Sequence, residues 1–477
     1  MPAVWGGGKV LRIFRHYLSA SALGLFLLES SVIVSAFYAA ARAFAPLNAT
    51  THEMLREYLA VMLVTGIISS LLMYAIGLYD RWLIGNVRRA FPRLVACFVI
   101  CTPVIIVLMM FNLPAPKGVA AGHQALVYTS WAALAFAGVL VSRVTYAGII
   151  KATAARRRVL VVGVGKLAAE IEFLLSRQGH ADVEVVGYTA LGNETALVPK
   201  SRIKPGTKSL LQIARDNAVR EIVVALDDRR GVPLDPFLEA RMEGITVTNY
   251  LSFWEREMRR VNLKALDPSW LIYSDGFRIS SETNALLKRL FDVGAGIALL
   301  ILGLPVFVFG AIAVRISSRG PIFYKQDRVG RNGIIFTIYK FRTMRTDAES
   351  NGIPQWASVQ DPRITTIGSF LRKWRIDELP QILNVLRGDM SFVGPRPERP
   401  FFVQSLTKDV PYYSQRHRMR PGITGWAQIN YPYGASIEDA EAKLAYDLYY
   451  VKNYSFMFDL LIMLSTAHAV FFNKGGR

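Results

Sequence analysis

Cysteine, charge and acidic side chains are all scarce in this chain of 477 residues, and each shortage excludes something. Cysteine occurs only as Cys97 and Cys101, four apart in one apolar run. That spacing puts both on one helix face as small core groups and leaves no disulfide framework and no cysteine-based metal site. Charged residues make up 19% against 52% apolar ones, and mean hydropathy is +0.28. A largely disordered chain is excluded, and an ordinary soluble enzyme would be less apolar. Acidic residues number 36 against 56 Lys and Arg, for a net charge of +20.

The positive excess is unevenly spread. Residues 1–158 carry 15 basic and 4 acidic side chains, residues 159–280 carry 16 and 16, and residues 281–477 carry 25 and 16. The basic ends also hold the long apolar runs. A nucleic-acid binder would concentrate charge on a soluble module, so the pattern indicates a membrane protein with no nucleic-acid partner. At about 150 residues per domain the length allows roughly three domains.

Four apolar runs lie near residues 18–41, 58–79, 94–113 and 125–142, each long enough to span a bilayer as a helix. Glu29 interrupts the first, as a buried hydrogen-bonded or protonated group. Their length and number argue against a cleaved signal peptide. Basic flanks fall at Lys9, Arg12 and Arg15, at Arg81, Arg88, Arg89 and Arg93, and at Arg143, Lys151, Arg156, Arg157 and Arg158. The other connections hold only Arg42, Arg56 and Lys117. The positive-inside rule then puts both ends of a four-helix transmembrane anchor, residues 1–150, in the cytoplasm.

Residues 156–265 read as a small α/β domain with a mostly parallel sheet, a Rossmann-like fold. Val159–Val162 leads into Gly163-Val164-Gly165-Lys166-Leu167-Ala168 and an amphipathic stretch to Leu175. Small residues there let a backbone approach a phosphate at a helix N-terminus. The third position is Ala168, and the second strand ends Gly187-Tyr188-Thr189 without a ribose-binding acid. The turn is either a cofactor site or part of a structural module that kept the fold.

Phe291–Ala313 is a fifth apolar run. Lys288 and Arg289 precede it, Arg315, Arg319, Lys325 and Arg328 follow it, and Pro305 lies inside it. Two basic flanks and an internal proline favour a re-entrant hairpin kinked at Pro305, the competing form being a kinked fifth span.

The chemistry is carried by the last third of the chain. Lys340-Phe341-Arg342-Thr343-Met344 ends a strand-like run, Ile334–Tyr339. A helical pattern with Arg372, Lys373 and Arg375 leads to Asp377-Glu378-Leu379-Pro380-Gln381. Gly388–Pro397, with Arg396, and Arg420–Trp426 close the set. Arginines form forked contacts to phosphate oxygens and lysine adds a point charge. Asp377 before Leu379-Pro380 reads as a helix start running on through Ile382, Leu383 and Leu386, with an anion favoured beside it. A carboxylate held near phosphoryl groups can act as nucleophile, and a second can hold Mg²⁺. Asp327 and the glycine after Val329 read as turn residues, and His417 reads as a phosphate-adjacent surface residue rather than a metal ligand.

Residues 284–473 resemble the catalytic domain of the bacterial sugar transferases, the monotopic phosphoglycosyl transferases. The resemblance rests on Lys288–Asp292, Lys340–Met344, Asp377–Gln381, Gly388–Pro397, Arg420–Gln428 and Asp447–Asn453. The whole chain looks like the long form of that family: helical anchor, Rossmann-like domain, then a catalytic domain at 284–477 with its re-entrant helix at 291–313. The resemblance implies transfer of a hexose-1-phosphate from a UDP-sugar to undecaprenyl phosphate, with release of UMP, at the start of exopolysaccharide or O-antigen assembly. It implies Asp377 as nucleophile and Glu378 as the Mg²⁺ ligand, with Asp377 beside it. It also implies Lys340, Arg372, Arg396 and Arg420 as phosphate binders, Lys288, Arg289 and Pro305 as parts of the membrane hairpin, and location in the bacterial inner membrane with catalysis on the cytoplasmic face. Membrane lipid is an expected partner, and a homodimer is compatible.

One string departs. Many members carry Asn-Gly-Arg after Trp-Ala-Gln, where the arginine contacts the nucleotide. Here the chain reads Asn430-Tyr431-Pro432-Tyr433-Gly434. Tyr431 or Tyr433 stacks on a base, or the loop is simply packed. Tyr446–Phe472 either lies along the membrane surface or forms a core helix. Two other functions compete: a membrane-anchored nucleotide-binding regulator centred on Gly163–Ala168, and a transferase that moves sugar alone and releases UDP.

Overall fold

The computed structural model of the chain describes residues from Val10 to Phe471, apart from 14–15, 44–50, 80–82, 84–86, 113–120, 153–156, 178–182, 192–193, 206–207, 229, 231, 275, 278–281, 347, 349–360, 433 and 435. Lys9, Arg15, Arg81, Lys117, Arg156 and Tyr433 therefore lie outside the described residues. Chain contacts divide the molecule into two compact units, one of residues 1–12 and 17–253, the other of residues 13–16 and 254–477.

After a two-stranded sheet of Val10–Ile13 and His16–Ser19 come four long helices in the first unit, Ala20–Ala43, Thr51–Ala75, Val87–Asn112 and Ala121–Ala152. The first packs on the second and fourth, and the third packs on the same two. Two stretches, Ala22–Ala43 and Leu126–Ile149, are long and apolar enough to cross a membrane by themselves. Leu59–Tyr74 is a shorter apolar helix, and Pro92 and Pro103 lie inside the third helix. Cys97 and Cys101 are buried core residues, as their spacing implies.

Two arginines assigned to the basic flank are structural instead. The fourth helix continues to Ala152, so Arg143 lies within it, 1% exposed. It meets the fully buried Glu29, Nε to Oε1 at 2.8 Å and Nη2 to Oε2 at 2.9 Å, and donates to the Leu78 carbonyl. A fork of donors on a carboxylate is the geometry in which a buried pair offsets its desolvation. Arg157 begins a strand and pairs with Glu221 at 3.2 Å.

The same unit holds a wholly parallel four-stranded sheet. Its order is Val183–Thr189, Arg157–Val162, Glu221–Val224, Thr246–Asn249. Val159, Leu160, Val161 and Val162 are all 0% exposed, because a central parallel strand is covered on both faces. Each contributes roughly 1.5–3 kcal/mol of burial. Helices Lys166–Arg177, Leu210–Asp216 and Asp235–Met242 connect the strands.

The second unit contains the helix pair Glu282–Leu302 and Leu304–Ser317, bent by 64°. The break falls at Gly303, two residues before the expected kink. Pro305 sits in the first turn of the second arm, where its missing N–H costs nothing. The arms are 21 and 14 residues, longer than the 291–313 run implied. Lys288 is turned inward: its Nζ reaches Asp459 Oδ2 at 2.5 Å and the Val393 carbonyl at 2.9 Å. Arg289 donates to the Val385 and Leu386 carbonyls, capping the C-terminus of helix Ile382–Arg387. Both cations that read as a membrane flank are thus used within the protein.

Strands Phe323–Val329 and Ile335–Phe341 form an antiparallel hairpin. Asp327 lies within the first strand, opposite Thr337, rather than in the turn, and accepts from the Thr337 hydroxyl at 2.9 Å. Strands Ser391–Val393 and Gly422–Thr424 pair in parallel. Helix Ile437–Asn453 is core along its second half, from Leu444 to Asn453, so that part of the C-terminal stretch does not lie on a surface. The segment after the sheet packs on and beside it. Glu255 holds Lys452 at 2.6 Å and Asn453 at 2.7 Å, Arg259 O accepts from Trp426, Val261 N donates to Ala445 O, and Lys452 Nζ lies 3.6 Å from the Trp270 ring centre.

Candidate active site

Asp377 and Glu378 lie in a tight 3-10 turn, Ile376–Gln381, that precedes helix Ile382–Arg387. The expected helix start is present, with a first turn of 3-10 form that runs on through helical backbone at Gln381 and Ile382 as far as Arg387, so the carboxylates stand at the start of a short helix. The residue entering the turn, Arg375, has φ +54°, a left-handed backbone that disfavours a branched or bulky side chain. Asn384, 0% exposed, ties the following helix to the Ile335–Phe341 strand: its Nδ2 donates to Thr337 O at 2.8 Å and its Oδ1 accepts from Tyr339 N at 3.2 Å. That splice fixes the carboxylate turn against the strand that ends beside Lys340.

The two neighbouring carboxylates have opposite surroundings. Glu378 Oε1 accepts from Lys340 Nζ at 2.9 Å and from Arg396 Nη2 at 2.9 Å, and Arg375 Nη1 stands 3.5 Å from Oε2. Burial works to raise the Glu378 pKa, but Lys340, Arg396 and Arg375 together hold it well below the usual range. Burial in turn lowers the Lys340 pKa against the pull of Glu378. Asp377 is 7% exposed and takes no hydrogen bond or ion pair from any described residue. Burial pushes its carboxyl up to about 6, with Lys340, Arg372 and Arg396 opposing and Glu378 reinforcing. At neutral pH the pair is therefore one clamped carboxylate beside one unclamped carboxylate.

The other expected residues divide. Lys340, Arg396 and Arg372 converge on the pair. Arg372 is oriented by Thr343, whose hydroxyl accepts from Nε at 2.9 Å, and its helix Thr366–Lys373 is capped by Thr365. A Cβ on Gly368 would meet Thr343 O at 2.1 Å, so only glycine lets that helix approach. Arg396 follows a close crossing of backbones in which Gly394 faces Gly422 and the Arg420 carbonyl. Its own carbonyl accepts from Arg416 Nη2 at 2.9 Å, and Arg416 is anchored by Asp447 at 2.8 Å. Arg420 instead faces a different set, Arg289, Arg331, Asp292 and Tyr454; burial, then Arg289 and Arg331, lower its pKa. Arg342, between Lys340 and Thr343 in one string, pins Ser318 O and Arg319 O and does not join the site.

Sequence reasoning placed Arg375 in the basic set without assigning it to Glu378, and missed Asn384 and Arg416 as supports; the local signal for those two was only a polar residue in a helical or basic stretch. His417 shares a shallow pocket with Arg396, Pro397 and Met419, and burial, then Arg416, push its pKa down to about 4. Tyr431 donates to Asp439 Oδ1 at 3.0 Å, the packed-loop alternative.

Two family models match the chain. The one described as bacterial sugar transferase covers residues 283–473, and the one described as CoA-binding domain covers residues 74–240. An N-acetylgalactosaminephosphotransferase acting from UDP-N-acetylgalactosamine on undecaprenyl phosphate, from Aeromonas hydrophila, is 41% identical over 202 residues, 42% of this chain and 48% of that one. The exopolysaccharide production protein PSS of Rhizobium leguminosarum is 43% identical over 192 residues, 38% of this chain and 94% of that one. A UDP-glucose:undecaprenyl-phosphate glucose-1-phosphate transferase of Xanthomonas campestris is 29% identical over 360 residues, 72% of this chain and 74% of that one. The chain spans about half the length of the Aeromonas relative.

Proposed function

The chain belongs to the bacterial sugar transferase family, and from that membership and the carboxylate pair we propose that it transfers a hexose-1-phosphate from a UDP-sugar to undecaprenyl phosphate, releasing UMP. The observation that carries this reading is the contrast within the pair, Glu378 held by three cations and Asp377 held by none of the described residues.

The reaction takes two displacements. An Asp377 carboxylate oxygen attacks the phosphorus bonded to the sugar. A new O–P bond forms as the bond to the bridging oxygen breaks, and that oxygen leaves on UMP. An oxygen of undecaprenyl phosphate then attacks the same phosphorus, the carboxylate–phosphorus bond breaks, and Asp377 returns as a carboxylate. Ionised Asp377 is needed at the outset, and its ionisation near 6 leaves it charged at pH 7.5. Arg372 and Arg396 face the developing phosphate charge, while Lys340 and Arg396 keep Glu378 ionised and in place.

The residues fit Mg²⁺, which binds one or two carboxylates together with substrate phosphates. Glu378 would hold it through Oε2, whose contact is the long 3.5 Å one with Arg375, Oε1 being shared by Lys340 and Arg396, with Asp377 adjacent. The ion would neutralise charge on the donor pyrophosphate.

The membrane reading follows the same logic. The 64° bend at Gly303 supports a hairpin that enters and leaves one leaflet, keeping Asp377 on the face where nucleotide sugars are made. Ala22–Ala43 and Leu126–Ile149, together with the two helices packed on them, would form the multi-pass anchor in the inner membrane.

The test is a panel of UDP-sugars with undecaprenyl phosphate in detergent, with the nucleotide product identified. UMP, together with a phosphosugar adduct on the Asp377 peptide, is expected. Release of UDP would overturn the reading in favour of transfer of sugar alone.

A further inference from the structure

The CoA-binding description of residues 74–240, and the Gly163-Val164-Gly165 turn, imply a phosphate-bearing ligand in the first unit. The parallel sheet would take such a ligand outside the carboxyl ends of Arg157–Val162 and Glu221–Val224, the adjacent strands where the strand order reverses. The phosphate would be bound by the free N–H groups of the turn and of the first turn of helix Lys166–Arg177.

Those N–H groups are already taken. Gly163 N donates to Thr189 O at 2.9 Å. Val164 N and Gly165 N donate to Glu194 Oε2 at 2.9 and 3.3 Å. Lys166 N and Leu167 N donate to Asp227 Oδ2 and Oδ1 at 2.8 and 3.0 Å. The two carboxylates are locked together, since Asp227 N donates to Glu194 Oε1 at 2.7 Å. A Cβ on Gly165 would lie 2.2 Å from Asp227 Oδ2, so the glycine that ordinarily admits a pyrophosphate here admits this side chain. The neighbouring edge is filled as well. Ile203 bridges to Tyr188, Lys204 N donates to Tyr188 O at 2.7 Å, and Tyr188, 0% exposed, bonds Glu172 where a ribose-binding acid would stand.

We infer that Glu194 and Asp227 act as an internal anion that permanently satisfies the glycine turn, so the first unit takes no coenzyme A or dinucleotide there. Two carboxylates on a helix N-terminus supply the charge the dipole favours and the acceptors its N–H groups need. The turn is a clasp joining the loops after three strands. This inference is independent of the transferase reading, because it uses none of the residues around Asp377.

The test is hydrogen–deuterium exchange of the full chain in detergent, read on peptides covering 163–177. In the parent protein these amides are protected without ligand, and 1 mM coenzyme A or NAD⁺ leaves their exchange unchanged. Glu194→Ala with Asp227→Ala speeds exchange there about tenfold, one lost net hydrogen bond's worth. Glu194→Gln with Asp227→Asn, which keeps an acceptor oxygen at each place, retains most of the protection. If the alanine pair also loosens peptides over 157–162 and 221–224, the fold itself has been lost, and the parent and the amide pair decide. Unprotected amides at 164–167 in the parent, or added protection there with coenzyme A or NAD⁺, overturn the inference.

Discussion

Asp377 is 7% exposed, and its carboxyl is pushed from an ordinary 3.8 up to about 6, burial being the main cause. The sign of the consequence follows from proton counting. Between those two values the folded chain binds the proton and the unfolded chain does not, so stability falls as pH rises through the window. Above about pH 6 the whole deficit is present. At 1.36 kcal/mol per pH unit it amounts to about 3 kcal/mol. Asp377→Asn removes the ionisation but keeps the shape. It should therefore abolish UMP release and stabilise the protein, by up to about 3 kcal/mol at pH 7.5 and about 1.5 kcal/mol at pH 5. With roughly 2–4 °C per kcal/mol for a unit of this size, the gain in melting temperature at pH 7.5 should exceed that at pH 5 by about 3–6 °C. Thermal melts of parent and variant in one detergent at both pH values make the measurement. A variant that melts at or below the parent at pH 7.5, or gains equally at both values, refutes the account of Asp377 as a carboxylate held under desolvation.

The pH–rate profile should carry an acid limb near 6 that belongs to Asp377. His417→Gln should leave it in place, because the His417 pKa lies down at about 4. Lys340→Met removes the strongest cation acting on Asp377, and the limb should rise by about one pH unit, whereas Arg420→Ala, set among other groups, should not move it. Glu378→Gln leaves Lys340 and Arg396 facing a neutral amide, and a melt should show a loss of about 3–5 kcal/mol. Arg143→Met should cost about 3–5 kcal/mol by stranding Glu29, and adding Glu29→Leu should recover most of it.

Much of the site was legible because its chemistry is written in contiguous strings. Asp377-Glu378 and Lys340 announce themselves by residue type, and the parallel sheet by short β-branched runs between helical ones. Long-range pairings escaped, because neither partner carries a local mark. Arg143 resembles any flanking arginine until Glu29, 114 positions earlier, is found against it. Lys288 resembles a headgroup cation until Asp459 reaches it from 171 positions away. The glycine turn shows the same effect in reverse: its sequence invites a ligand, and Glu194 and Asp227, from two other loops, fill the place. Local pattern states what a segment can do, and which of its capacities remains open depends on what the rest of the chain brings to it.

The packing of Glu255, Arg259, Val261 and Trp270 on and beside helix Ile437–Asn453 decides where this protein can be cut. The sugar transferase match begins at residue 283, an inviting place to start a shorter fragment. A fragment begun there would lose Glu255 and leave Lys452 and Asn453, 3% and 0% exposed in the whole chain, without their carboxylate. It would also strip the Arg259 carbonyl from Trp426 and the Trp270 ring from Lys452. A fragment begun ahead of Trp254 keeps these contacts whole. The boundary drawn by resemblance and the boundary drawn by packing differ by about thirty residues, and the second is the one a scalpel should follow.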